Sequence, residues 1–139
     1  MAEYNSEGYP NPTFAESMVN IAKEEKASDF KPCVFICSPF AGDTRRNLEN
    51  ARRYLKFAVD IGAIPFAPHL LYPQVLDDLD PRERELGLGF GMVWLGKCDE
   101  LWVFGRRVSG GMSAEIAGAR KTNIPVRYFT ESCEEVHDL

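Results

Sequence analysis

The chain has 139 residues, 45% of them hydrophobic and 27% charged, which fits one ordinary globular domain with a real core. Sixteen basic against 21 acidic residues leave a formal net charge of −5, so nothing global argues for a nucleic acid or a membrane surface as partner. No apolar run approaches the roughly 18 residues of a membrane-crossing helix; Met1-Ala2-Glu3-Tyr4-Asn5 also lacks the basic and apolar regions of a signal peptide, so the expected location is the cytoplasm.

Residues 1–31 read as an N-terminal extension. Tyr4 to Pro12 is rich in Asn, Pro, Gly and Tyr and favours irregular chain. Thr13 to Ala27 is compatible with a short helix carrying Phe14, Met18, Ile21 and Ala22 on one side, which either packs on the domain or contributes to contacts between copies. The folded body is expected over residues 32–130, with 131–139 as a C-terminal tail.

Cys33-Val34-Phe35-Ile36-Cys37 is a short continuous apolar run, the pattern of a central strand buried on both faces. Ser38 to Gly42 follows as a loop. From Asp43 or Thr44, a plausible N-cap, a helix is predicted to Gly62, with Leu48, Ala51, Leu55, Ala58 and Val59 as its apolar stripe. Ala63 to Ala67 reads as a second strand leading to Pro68-His69. Leu70 to Leu86 is predicted as loops with one helical piece, and Leu88 to Lys97 as helix-compatible despite its glycines. Glu100 to Phe104 is the third strand, Ser109-Gly110-Gly111 a tight loop, Met112 to about Lys121 a helix, and Val126 to Phe129 the last strand. Alternating strands and helices mean a parallel sheet covered on both faces. The predicted fold is a single-domain α/β protein, a small Rossmann-like (flavodoxin-like) parallel sheet sandwiched by helices.

The four cysteines form no Cys-x-x-Cys pair, and only His69 and His137 are available to complement them. Cys33 and Cys37 fall on one face of their strand. They read as buried or incidental thiols in a reducing compartment, and no structural metal is expected.

Ligands of an open parallel sheet bind outside the carboxyl ends of its strands. Three segments meet there: Ser38 to Gly42 (with Pro39 and Phe40), Pro68-His69, and Arg106 to Glu115. A glycine loop opening a helix offers backbone N–H groups and a positive dipole end to an anion, here from Ser109, Gly110, Gly111 and Met112. Glu115 lies in the first turn, and the spacing of Met112, Glu115, Ile116 and Ala119 puts it at the border of the buried face, with Gly118 leaving space beside it. An exposed acid there would simply complement the dipole; one at this border reads as functional. Arg45 and Arg46 occupy the first turn of their helix, where positive charge is disfavoured. A bound anion, approached also by Arg106 and Arg107, would relieve this, and solvated arginines with nearby acids remain the other reading. His69 contacts a sugar or base, or is hydrogen-bonded within its loop. Asp99 reads as a structural residue orienting the connection into the third strand. There is no Gly-Lys-Ser/Thr and no Gly-x-Gly-x-x-Gly after the first strand, which argues against ATP hydrolysis and ordinary nicotinamide chemistry; no cofactor is expected.

Three stretches together carry a resemblance: Val34 to Phe40, Trp94 to Val103, and Ser109 to Ala119. Over about residues 32–130 the chain resembles the nucleoside 2-deoxyribosyltransferase superfamily, which includes the 2′-deoxynucleoside 5′-phosphate N-hydrolases, and looks most like its uncharacterised phage and bacterial branch. The resemblance implies cleavage of an N-glycosidic bond by a glutamate that attacks the anomeric carbon, and that glutamate falls on Glu115. It implies a 5′-phosphate contact at Ser109, where the transferases tend to carry an aspartate. It also implies assembly as a homo-oligomer in which a neighbouring subunit closes the site. One departure stands out: the family's second carboxylate, about eight residues before the aspartate matching Asp99, is Gly91 here. Asp43, His69 or a residue from Asp77 to Glu85 would have to replace it.

Two functions from different classes follow. The first is an enzyme that cleaves or transfers the N-glycosidic bond of a nucleoside or nucleoside 5′-monophosphate, with Glu115 as nucleophile. The second is a non-catalytic nucleotide-ligand sensor of the same Rossmannoid group, resembling the lonely-guy type domains. In both the partner is a small-molecule nucleoside or nucleotide.

Overall fold

The computed structural model describes Met18 and residues 30–137. The chain divides into two compact units, 1–31 and 32–139. Of the helix predicted over Thr13 to Ala27 only Met18 is described, and it is helical; the remainder lies outside the described residues.

The second unit is built on a five-stranded sheet in the order β2-β1-β3-β4-β5. The strands are β1 (Cys33–Cys37), β2 (Ile64–Phe66), β3 (Glu100–Phe104), β4 (Val126–Phe129) and β5 (Glu135–Val136). The first four run parallel and β5 is antiparallel to β4. Three helices connect them: α1 (Thr44–Asp60), α2 (Pro81–Leu95) and α3 (Gly110–Lys121). This is the Rossmann-like sandwich expected from the sequence.

The side-chain alternation of the central strands divides the core into two layers. Val34, Ile36, Trp102 and Phe104 pack with Tyr54 and Ala58 of α1 on one face. Phe35, Cys37, Leu101 and Val103 pack with Leu95 of α2 and with Met112 and Ala119 of α3 on the other. Tyr54 stacks on Phe104, ring centroids 4.2 Å apart. The buried face of α1 is Ala51, Tyr54 and Ala58, whereas Val59, predicted for the stripe, is 55% exposed. An i, i+3, i+7 stripe through Tyr54 fits the burial better, because a tyrosine ring can cover the sheet while its hydroxyl reaches the layer's rim.

Two helix boundaries differ from expectation for local reasons. α2 begins at Pro81, because the Asp80 carboxylate accepts a hydrogen bond from the Arg82 backbone N–H at 2.9 Å and proline suits the first helical position. The loops before it contain two short 3-10 turns, Pro68–Leu70 and Tyr72–Gln74. α3 begins at Gly110, because Ser109 is its N-cap and accepts from the Met112 N–H at 3.3 Å; Gly110 and Gly111 belong to the helix and not to a loop before it.

β5 lies within the segment expected to be a tail. It is held by Arg127, whose guanidinium meets both oxygens of Glu135 at 2.6 and 2.9 Å and Glu100 at 3.3 Å. The same guanidinium lies over the rings of Trp102 and Phe129.

The Asp99 carboxylate accepts from the Cys33 N–H at 2.8 Å, and its own N–H donates to the Cys33 carbonyl at 2.7 Å. It thus fixes where β3 enters beside β1. Asp99→Ala is expected to cost about 1 kcal/mol, read as a lower urea midpoint with an unchanged denaturant slope, and to leave ligand affinity intact. An affinity loss without a stability loss would contradict a purely structural role.

Candidate active site

The sheet order makes β1 and β3 neighbours whose chains leave in opposite directions, toward α1 and α3. Cys37 pairs with Val103, so the two carboxyl ends lie within one residue of each other and open a crevice at this switch point. Ser38 follows β1. Gly105 follows β3 with φ +92°, a turn that directs the next residues toward the cap of α3.

A cleft enclosing about 150 Å³ occupies this crevice. Ser38, Phe40, His69, Ser109, Gly111, Met112 and Glu115 all line it, so seven of the residues singled out in the sequence come together. Four do not line it. Pro39 and Gly42 face a separate depression that also borders Arg46 and Arg107, and the glycine at 42 is required by its φ of +97°. Arg45 extends into solvent, its side chain 92% exposed, and pairs with Glu49 at 3.5 Å. Gly110 is absent from the lining although both its neighbours contribute. The charge conflict expected at the start of α1 is met within the chain, because the Asp43 carboxylate caps that helix by accepting from the Arg46 N–H at 3.3 Å.

The cleft's outer wall comes from the 3-10 turns, the loop after them and α2: Tyr72, Leu76, Asp78, Glu83, Arg84, Leu88 and Gly91 contribute to it. The Trp94 indole N–H donates to the Tyr72 hydroxyl at 2.6 Å, Tyr72 packs on Phe90, and Trp94 stacks on Phe66. These contacts tie the turns to the helix. Asp80-Pro81 is a helix-start signal in the sequence, and counted from it Arg84, Gly87, Leu88 and Gly91 fall at i, i+3, i+4 and i+7, one helix face.

Ser38 is buried and its Oγ lies 3.0 Å from His69 Nε2; the Phe40 ring packs near the imidazole. Burial lowers the His69 pKa from 6.5 to about 4, so the imidazole is neutral at physiological pH. Glu115 behaves oppositely. Burial raises its pKa from 4.5 to about 7, partly countered by a hydrogen bond from the Cys37 thiol.

Gly91 faces Glu115 directly. A Cβ at 91 would lie 3.9 Å from Glu115 Oε2 and 3.9 Å from Phe35 Cζ. The space beside Gly118 is taken: a Cβ there would overlap Met92 Cε. The opening expected at that glycine is a helix–helix contact between α2 and α3 and not part of the cleft. Among the described residues, no group of three His, Cys, Asp or Glu is arranged to hold a metal ion, and no helix is long and apolar enough to cross a membrane. All four cysteines are free.

Residues 32–129 match the family described as a domain of unknown function, DUF7768. The chain belongs to this family. No curated protein matches the DUF7768 chain. Among solved structures, it is similar to a 2-deoxyribosyltransferase from the psychrotolerant bacterium Bacillus psychrosaccharolyticus, with a TM-score of 0.56 and 17% identity. The match covers 76% of this chain and 77% of that one. At this identity the likeness is one of fold.

The two shifted groups in the DUF7768 cleft give opposite pH slopes of stability. Between pH 4.5 and 7 the folded Glu115 keeps a proton that the unfolded chain has lost, so stability falls as pH rises, by about 3 kcal/mol in total. Between pH 4 and 6.5 the unfolded chain protonates His69 and the folded protein does not, so that group makes stability rise with pH by a similar amount. Glu115→Gln is therefore expected to gain stability over the parent progressively from pH 4.5 to 7 in urea denaturation. A constant difference across that range would mean that Glu115 titrates normally.

Proposed function

We propose that the domain cleaves or transfers the N-glycosidic bond of a nucleoside, in deoxy or ribo form, or of a nucleoside 5′-monophosphate, with Glu115 as the nucleophile. The observation that carries this reading is the Glu115 carboxyl lining a partly apolar crevice at the β1/β3 switch point; because α3 starts at Gly110, the carboxylate sits in the second turn of that helix and not in the first, as the sequence reading has it. The shared fold with a 2-deoxyribosyltransferase supports it.

In this mechanism an ionised Glu115 oxygen attacks the anomeric carbon as the C–N bond breaks, and the bonding pair departs on the base nitrogen. The base takes a proton, and water or a second base then displaces the carboxylate from the glycosyl ester. A carboxylate suits this role because the transition state carries positive charge on the sugar. With glycine at 91, the proton donor for the base must come from elsewhere. Asp78, Glu83 and His69 share the cleft with Glu115, but burial keeps the His69 imidazole neutral, which favours Asp78 or Glu83 as donor, whereas Asp43 caps α1. Ser109 and Gly111, at the start of α3, are the proposed 5′-phosphate contacts, with Phe40 and Tyr72 as faces for the base. Assembly as a homo-oligomer that completes the site belongs to the same proposal.

A second reading follows from the Gly91–Glu115 juxtaposition. Without an acid at 91 the same cleft would hold a nucleotide ligand without turning it over.

A panel of nucleosides and 5′-monophosphates, assayed chromatographically for free base, separates the two. Base release is expected, reduced about a thousandfold or more in Glu115→Ala. It should be lost as pH falls through about 7, because the carboxylate must be ionised to attack. Among Asp78→Asn, Glu83→Gln and His69→Gln, the variant that removes the donor should lower kcat without raising KM. Saturable binding with no release across the panel would support the sensor. Equal release from Glu115→Ala and the parent would remove Glu115 from the reaction.

A further inference from the structure

We propose that the outward face of α2 is where a second copy of this chain docks, the two helices lying antiparallel across a two-fold axis. This gives a surface to the assembly proposed above, and it stands independently of the chemistry at Glu115.

From Leu86 to Leu95, α2 carries no charged side chain. A helix that is apolar on every side belongs in an interior. Within its own chain, however, α2 buries only Gly91 and Leu95. Gly91 faces Phe35 and Glu115, and Leu95 lies against Gly118. Leu86, Phe90, Met92, Val93 and Trp94 remain 37–62% exposed. At about 200 Å² for a fully exposed large side chain, these five present roughly 450 Å² of apolar surface. A standard interface takes about 800 Å² from each partner, somewhat over half of it apolar. The face therefore has the size that one dimer contact covers. Arg82 and Glu85 before the stripe and Lys97 after it are exposed and supply a polar rim.

The shape of the face selects the partner. A two-fold contact sets one patch against itself, so each bulky group needs a hollow on the same surface. Gly89 is that hollow, since nothing lies within 4 Å of where its Cβ would be. Val93, the most exposed of the five, stands one turn along the same side of the helix, and both residues are about 200° around the axis from Gly91. In an antiparallel pair, Val93 of each copy lies over Gly89 of the other, and the missing side chain lets the two backbones come close. Leu86, Phe90 and Trp94 flank this centre. The contact also bears on the cleft, because Arg84, Leu88 and Gly91 on the inner side of α2 form part of its outer wall. A second copy backs that wall from outside.

The test is sedimentation of the full chain over a range of concentrations, alongside Val93→Glu and Gly89→Leu. Both positions are exposed, so both variants should fold, which circular dichroism checks. The parent is expected to be a dimer, with a dissociation constant raised at least about tenfold in each variant. Gly89→Leu is the more telling of the two. It adds apolar surface, which would strengthen a merely sticky contact, but it fills the hollow that Val93 of the other copy requires. A parent that stays monomeric up to millimolar concentration would overturn the proposal and assign the face to residues 1–31 or to a different protein. An assembly that survives either substitution unweakened would place the contact elsewhere and overturn it equally. Glu115→Ala should remain dimeric, so a loss of base release in that variant reports on the nucleophile and not on this face.

Discussion

β1 and β3 are sealed by helices on both faces, and that constraint organises everything else in the domain. A strand packed on two sides has no solvent face on which to carry a polar side chain, so Val34 to Cys37 and Leu101 to Phe104 are apolar throughout and buried. Polar chemistry is confined to the first residues beyond the strand ends. Ser38 is one of these, and it is the one buried polar residue among the described core positions.

The environment at those ends sorts two ionisable groups by the same force. Partial burial disfavours whichever form is charged, so it holds His69 neutral and makes Glu115 reluctant to ionise at ordinary pH. A weakly hydrated carboxylate is a better nucleophile than a well-solvated one, but it is available only when something compensates the lost water.

Much of this was legible in the residues. The unbroken run Cys33 to Cys37 could only be a strand buried on two faces, and the Ser109-to-Glu115 spacing put the acid on the border of the buried side of a helix. The outer wall was less legible. Gly87, Gly89 and Gly91 weaken the helical pattern, and the Asp80-Pro81 start lies inside a segment whose composition reads as loop, so Asp77 to Glu85 is legible only as a range of candidates and not as the particular side chains, Asp78, Glu83 and Arg84, that line the cleft. β5 has two residues and no pattern of its own; it exists because Arg127 pairs with Glu135 across the strands. Gly118 shows the limit of reading space from a missing side chain, since a long-range contact from Met92 occupies it.

The two outer strands have a consequence for how copies of this domain can meet. β2 is three residues long and carries Pro65 at its centre, which has no N–H to offer a neighbour. β5 on the opposite side is two residues long and runs against the others. Neither border presents the extended ladder of free donors and acceptors that a further strand would need. Among the described residues the sheet is closed to growth, and the surfaces left for contact between copies are those of helices and loops.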